Sequence, residues 1–364
     1  MNNARYTMIS HASYTVQQTA VRLRLKPNLS GLLLSGILLL IIVAIAIPTL
    51  KWAVLDAIWI SEPGISTACR ASPETGACWA LIPEKYRFIL FATYPYDEQW
   101  RPAAAIMILI ALYAVSAVPA FWSRWLVAGW ILALVCVGVL MWGGLGLQFV
   151  PQTMWGGLVV TLLLSTFGII FAFPIGILLA LGRQSSEFKI FRIMSISYIE
   201  IIRGLPLVTL LFMATFVLPV FFPPGFEIDK LLRAQIALII LSAAYLAEAV
   251  RGGLQSVPAG QGEAATALGF GFWRIQLLVV LPQALHKALP LLVNTFISIF
   301  KSTSLVLVVG IFDLMSAGKA AIDDPAWQSF AIEMFIFVSF IYFAFCYSMS
   351  LYSSYLERRL RLSK

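Results

Sequence analysis

Between Lys26 and Lys51 the chain carries no charged residue, and the stretch from Gly31 to Leu50 is almost wholly apolar. About 20 such residues are what a helix needs to cross a hydrocarbon core about 30 Å thick. Further uncharged blocks run from Pro102 to Ser123, Trp125 to Gly182, Gly204 to Phe226 and Ala234 to Ala247. Two more, Ala288 to Phe312 and Trp327 to Ser350, are interrupted only by Lys301 and Glu333. The Trp125 block is long enough for two spans and divides around Gln148, Pro151 and Gln152, where proline removes a backbone donor and marks a turn. The chain therefore reads as an all-α polytopic membrane protein of eight spans. Composition agrees: 60% of residues are hydrophobic and 12% charged, about half the charged share of a soluble domain. The first block begins some thirty residues in, exceeds the length of a signal-peptide core and lacks a small-residue cleavage site, so it is expected to be retained.

An even number of spans puts both termini on one side. Of the 25 Lys and Arg residues, 16 fall on the side of the termini and 8 on the other, with Lys301 inside a span. Arg5, Arg22, Arg24 and Lys26 precede the first span; Arg358, Arg359, Arg361 and Lys364 follow the last. Basic loops stay cytoplasmic, which predicts cytoplasmic termini. The net charge of +8 then reflects topology and attraction to anionic headgroups of the bilayer, with no need for nucleic acid. The predicted layout is a cytoplasmic segment over 1–30, three spans over 31–150 with an extracytoplasmic loop at about 51–101, five spans over 151–355, and a basic tail over 356–364. Cys69 and Cys78 both fall in the outer loop, where an oxidising compartment favours a disulfide. Two free thiols is the competing reading, since spacing does not fix geometry. Cys136 and Cys346 lie in spans as small apolar packing residues.

No phosphate-binding loop occurs; Gly318-Lys319-Ala320 lacks both the leading glycine and the hydroxyl. His11 and His286 are the sole histidines, neither near a Cys or carboxylate cluster in sequence, so neither a metal site nor enzymatic chemistry is expected. The informative segment lies between the sixth and seventh spans, at about 253–282. Pro258 and Gly269 bracket a short helix in the Pro-first, Gly-last arrangement. Within it Glu263, Ala264 and Ala265 combine one charge with two small side chains, which permits close approach to another surface. Leu268, Phe270 and Phe272 add apolar contacts.

This segment resembles the EAA loop of ABC-importer permeases, whose pattern is EAA, three residues, G, nine residues, I-x-L-P. Glu263-Ala264-Ala265, Gly269 and Leu281-Pro282 keep that spacing, with Val279 in place of the Ile. The segments GLVVTLLLSTFGIIFAFPIGILLALGR, YIEIIRGLPLV, AYLAEAVRGGLQSVPAGQGEAATALG and NTFISIFKSTSLV are similar to the amino-acid branch of that family. The three extra N-terminal spans and large loop look like the longer M-type permease of general L-amino-acid importers. The resemblance implies a type I importer core and the bacterial inner membrane as location. It also implies a related second permease, most naturally a different chain, two copies of an ABC ATPase, and a soluble periplasmic amino-acid-binding protein. ATP and Mg²⁺ would sit in the ATPase, with no cofactor in this chain, and the permeases would alternate between inward-open and outward-open states.

Two further patterns call for a role. Glu-x-x-Arg-Gly occurs at Glu200-Arg203-Gly204 and Glu248-Arg251-Gly252, at the same expected depth. An inner gate competes with the reading as i,i+3 ion pairs at the membrane interface. In the seventh span Asn294, Ser298, Lys301 and Ser302 share one helix face. A lysine halfway through a span is costly, so it is expected to meet either a substrate carboxylate or a structural carboxylate partner. A secondary transporter or channel, and a membrane-embedded enzyme or scaffold, are the rival functional classes. The first has no use for the EAA loop; the second lacks a convergent His, Cys or carboxylate cluster.

Overall fold

The computed structural model of the chain describes residues 29–60, 69, 75–185 and 188–362. The basic N-terminal residues Arg5, Arg22, Arg24 and Lys26, and Lys364 at the other end, lie outside the described residues. Among the described residues seven helices are long and apolar enough to cross a membrane, and an eighth span results if one bent pair counts as a single crossing. The chain is thus an all-helical polytopic membrane protein.

Helix α1, Leu29–Leu50, and the segment carrying Cys69 and Cys78 belong to one compact unit; the chain from Trp79 onward belongs to another. In the first unit α1 runs into a π-helical turn, Lys51–Leu55. Cys69 and Cys78 are joined as a disulfide with Cα atoms 5.7 Å apart. Its C-terminal arm folds against this turn: Ala77 N–H donates to Trp52 O (2.8 Å) and Gly76 N–H to Asp56 O (2.9 Å). A Cβ at Gly76 would stand 2.3 Å from Trp52 O, so only glycine fits there.

The second unit contains α2 (Leu81–Phe91), α3 (Trp100–Ala117), α4 (Arg124–Trp142), α5 (Leu158–Gln184) and α6 (Lys189–Gly204). There follow α7 (Leu207–Phe212, extended by π and 3₁₀ turns to Phe221), α8 (Lys230–Gln255), α9 (Ala259–Ala267), α10 (Leu281–Ser302), α11 (Leu314–Ala321) and α12 (Ala331–Leu362). Its core is the packing of α8 against α5 and α10. In lipid there is no hydrophobic drive between helices, so association rests on close van der Waals fit, which small residues allow. Ala172, Gly176 and Ala180 of α5 meet Ala243 and Ala247 of α8. Across the other side, Gly253 of α8 lies against Ala284 and Ala288 of α10. A Cβ at Gly253 would come within 2.3 Å of the Ala284 carbonyl oxygen.

At the end of the bundle remote from α9, α11 packs on α2 and α12. Asp313, fully buried, caps α11 by accepting from Ser316 N–H (2.9 Å) and Met315 N–H (3.1 Å). Lys85 of α2 pairs with Asp324 at 2.8 Å, and that hydrogen bond holds the Asp324 carboxyl below the usual carboxylate range. Arg101, also fully buried, donates to Leu140 O (2.6 Å) and Gln148 O (2.9 Å), tying α3 to the end of α4.

The bundle departs from the expected spans in three places. The fifth, expected over Gly204 to Phe226, is the latter half of a pair: α6 and Leu207–Phe221 meet at 103°. The seventh, expected over Ala288 to Phe312, is a continuous helical stretch from Phe272 to Val309. Leu281 and Pro282, placed in the loop by sequence, begin α10, directly after the π-helical turn Ile275–Val280. Lys301 consequently sits in the last turn of α10, not halfway along it. The eighth, expected over Trp327 to Ser350, extends to Arg359.

Candidate functional site

Three groups of residues in the second unit carry the functional interest. The first is α9. Pro258 stands at its N-cap with ψ of 135°, and the helix ends at Ala267 with Leu268 as C-cap. Gly269 adopts φ +79°, a left-handed geometry that favours glycine. Its N–H donates to Thr266 O (2.9 Å), and Phe270 N–H donates to Ala265 O (3.2 Å). These two bonds make a Schellman motif, satisfying carbonyls that the helix end would leave open. Ala265 is buried toward α9's own support, residues 275–280, whereas Glu263 and Ala264 are exposed and Leu268 is 76% exposed. The sequence pattern treated the two alanines alike; the fold gives one to the interior and one to the outside.

The second group lies where α8 approaches α9. Glu248 accepts a two-pronged interaction from Arg251, through Nε to Oε1 and through Nη2 to Oε2 (3.0 Å). Arg203 approaches the same carboxylate at 3.4 Å and Arg183 at 3.7 Å. Glu200 pairs at 2.8 Å with Arg183. The expected Glu200–Arg203 pair does not form: Arg203 turns instead toward Glu248 and the Tyr245 ring, 5.6 Å from its centroid. The two expected local pairs are thus a single cluster of three arginines and two glutamates joining α5, α6 and α8. Its centre is Glu248, with a side chain only 17% exposed, while Glu200 is 57% exposed. Arg183 is the member that sequence reasoning missed. No local spacing links it to Glu200, 17 residues away; the one available signal was that both flank spans at the same expected depth.

The third group is the α10 face. Asn294, Ser298 and Lys301 are exposed and Ser302 is half-buried, all on one side, as the i, i+4, i+7, i+8 spacing requires. Ser302 Oγ donates to Ser298 O (2.8 Å). Among the described residues the exposed Lys301 forms no ion pair, and its charge lies near Cys346 of α12. No group of three or more His, Cys, Asp or Glu suited to a metal occurs among the described residues.

These groups share a frame. α9 is suspended between the end of α8 and residues 275–280, which continue into α10. α8 and α10 also meet directly, through Gly253, Ala284 and Ala288, so α9 is connected to the arginine–glutamate cluster through α8 and to the polar face through α10.

Residues 172–362 match the family described as "Binding-protein-dependent transport system inner membrane component". The chain is 44% identical over 319 residues to the inner membrane amino-acid ABC transporter permease protein YhdY of Escherichia coli (strain K12), covering 86% of this chain and 84% of that one. It is 36% identical to the glutamate/glutamine/aspartate/asparagine transport system permease protein BztC of Rhodobacter capsulatus, covering 88% and 87% respectively. A solved structure, the crystal structure of an amino acid ABC transporter with histidines, is similar at 34% identity with a TM-score of 0.50, covering 56% of this chain and 92% of that one. The stretch matched by the family holds α9, every charged residue of the cluster and the polar α10 face. By these matches the chain belongs to the family of binding-protein-dependent transport system inner membrane components and is a membrane-embedded permease subunit of an ABC transporter.

Proposed function

We propose that this chain is one of two permeases in an ATP-driven importer of L-amino acids, with both termini and α9 in the cytoplasm. Amino acids as substrates rest on the names of the relatives, YhdY and BztC among them. Orientation rests on the 16-to-8 distribution of basic residues. A second, related permease completes the pathway, two copies of an ATPase bind below it, and a soluble binding protein delivers substrate from the other side. ATP and Mg²⁺ belong to the ATPase, and this chain carries no cofactor of its own.

The observation that carries the reading is α9: a nine-residue helix, too short to cross a membrane, closed by Gly269 and presenting Glu263, Ala264 and Leu268 outward. It is shaped to enter a groove on the ATPase. When ATP draws the ATPase copies together, α9 moves with them and shifts the ends of α8 and α10. The arginine–glutamate cluster acts as the inner gate, holding α5, α6 and α8 together in one state and rearranging in the other. The α10 face lines the path, where Lys301 neutralises a substrate carboxylate and Asn294 or Ser298 supplies hydrogen bonds.

Ala264→Trp tests this. Ala265 would clash within the chain if enlarged, but Ala264 is exposed, so a bulky residue there leaves insertion intact and overpacks only the ATPase contact, at a cost of ~1–3 kcal/mol. ATPase copurification and substrate-stimulated hydrolysis should both fall several-fold or more; normal values for both would remove α9 from this role.

A further inference from the structure

We infer that α6 is an in-plane membrane helix, bound along one edge by acyl chains and along the next by anionic lipid headgroups. Viewed down its axis, at about 100° per residue, its side chains sort into three sectors. Ser195 and Ile199 are buried against α5 and α8, with Gly182 of α5 leaving room for Ser195 and Phe191. Ile190, Ile193, Met194 and Ile201 are all exposed and occupy one arc of about 100°. Ser197 is the single polar residue within that arc. Between these sectors lies an exposed polar edge, beginning with Lys189 and Arg192 and ending in Glu200 and Arg203 of the cluster, with Ile196 half-buried among them.

Four bulky apolar residues facing water would be costly, at roughly 25 cal/mol for each Å². A helix with an apolar face, a basic polar edge and few charges among its apolar residues lies at an interface, its apolar face buried about 5–10 Å into the acyl boundary. The direction of α6 agrees. Leu205 is extended, at φ −94° and ψ 136°, the conformation favoured before a proline, and it lies at the 103° bend to Leu207–Phe221. If the latter segment crosses the membrane, α6 runs along it. Leu207–Phe221 alone, at ~1.5 Å per residue, reaches ~22 Å and falls short of a ~30 Å core. A companion helix sunk into the interface supplies the missing depth.

Anionic lipid, more than a protein surface, suits the charges. Lys189 and Arg192 have no carboxylate partner among the described residues, and any protein covering the apolar stripe would have to cover their edge too. At the N-terminal end, Phe188 packs on Phe272 and Trp273, with ring centroids 6.4 and 6.2 Å away. Tryptophan, with an apolar ring and a polar N–H, concentrates at headgroup level. Since Phe272 and Trp273 directly follow the α9 turn, lipid held by α6 borders the segment through which α9 moves.

The test uses the full-length chain, purified with its accompanying subunits and reconstituted into vesicles of phosphatidylethanolamine with and without phosphatidylglycerol. A nitroxide is placed at Ile193→Cys or Ile201→Cys, with Cys136 and Cys346 replaced by alanine, and its access to oxygen and to a water-soluble nickel complex is measured. The inference requires high oxygen and low nickel access at both sites. Low access to both reagents, the mark of a covering protein such as the second permease, overturns it; so does high nickel access, the mark of water. For the headgroup edge, the ratio of phosphatidylglycerol to phosphatidylethanolamine retained by the complex is compared with that of the Lys189→Gln, Arg192→Gln double variant. A basic residue near an anionic surface contributes up to about fivefold in local affinity, so the variant's ratio should fall several-fold. An unchanged ratio overturns the headgroup half.

Discussion

Replacing Glu248 by Gln leaves Arg183, Arg203 and Arg251 gathered around a neutral amide, with only Glu200 to balance them. Hydrogen bonds to charged groups contribute about 1.5–3 kcal/mol each when little exposed. The Glu248→Gln complex is therefore expected to lose that order of stability, measured as a lower thermal midpoint in detergent. Glu200→Gln, at a 57% exposed side chain, should cost less than about 1 kcal/mol, as exposed pairs do. Equal losses would mean that the cluster is two independent pairs. At Lys301 the expectation is different in kind. Lys301→Met retains much of the length and apolar packing, so complex yield and basal ATP hydrolysis should hold while uptake falls. Unchanged uptake with unchanged substrate affinity would rule out a required contact from Lys301. The polar α10 face was readable from spacing because a helix period is local. Glu248's full set of partners was not, because Arg183 and Arg203 reach it from other helices and only Arg251 is an i,i+3 neighbour.

Among the elements, α8 offers adjacent glycines with opposite prospects. A Cβ at Gly252 meets nothing nearer than Leu291 Cδ2 at 3.8 Å, whereas one at Gly253 strikes the Ala284 carbonyl oxygen and Ala288 Cβ. Gly252→Ala should be neutral or stabilising by up to ~1 kcal/mol through helix propensity. Gly253→Ala should destabilise by ~1–3 kcal/mol by forcing α8 from α10, and should also weaken coupling, since α9 hangs from both. Thermal midpoints of the two variants check this, and a reversed order would contradict the helix contact described. The spans themselves were legible because the bilayer demands long uncharged runs, and stretches such as Gly31 to Leu50 can answer in one way only. α6 escaped notice because charge counting marks Lys189, Arg192, Glu200 and Arg203 as a loop. The helical periodicity of Ile190, Ile193, Met194 and Ile201 was there to be read, hidden by the test that found the spans. α2 and α11 were missed for another reason: each is short, and the pair between Lys85 of α2 and Asp324, just past the end of α11, joins residues 239 apart.

For the whole molecule, α8, α9 and α10 form one connected frame, the basis for proposing that movement at α9 is passed to α10, and the resemblance carried by Glu263-Ala264-Ala265 and Gly269 led to the same family as the match over residues 172–362. Family membership sets aside the secondary-transporter, channel and membrane-enzyme readings of the sequence for this subunit. It leaves the energy source and cargo as the claims to be tested. Both are read by one measurement: uptake of labelled L-amino acids into vesicles holding the complete complex, with ATP at the cytoplasmic face and the binding protein at the other, in the presence of an uncoupler that abolishes ion gradients. The account predicts accumulation that requires ATP and the binding protein and survives the uncoupler. Accumulation without ATP, driven by an imposed ion gradient and abolished by the uncoupler, would contradict it.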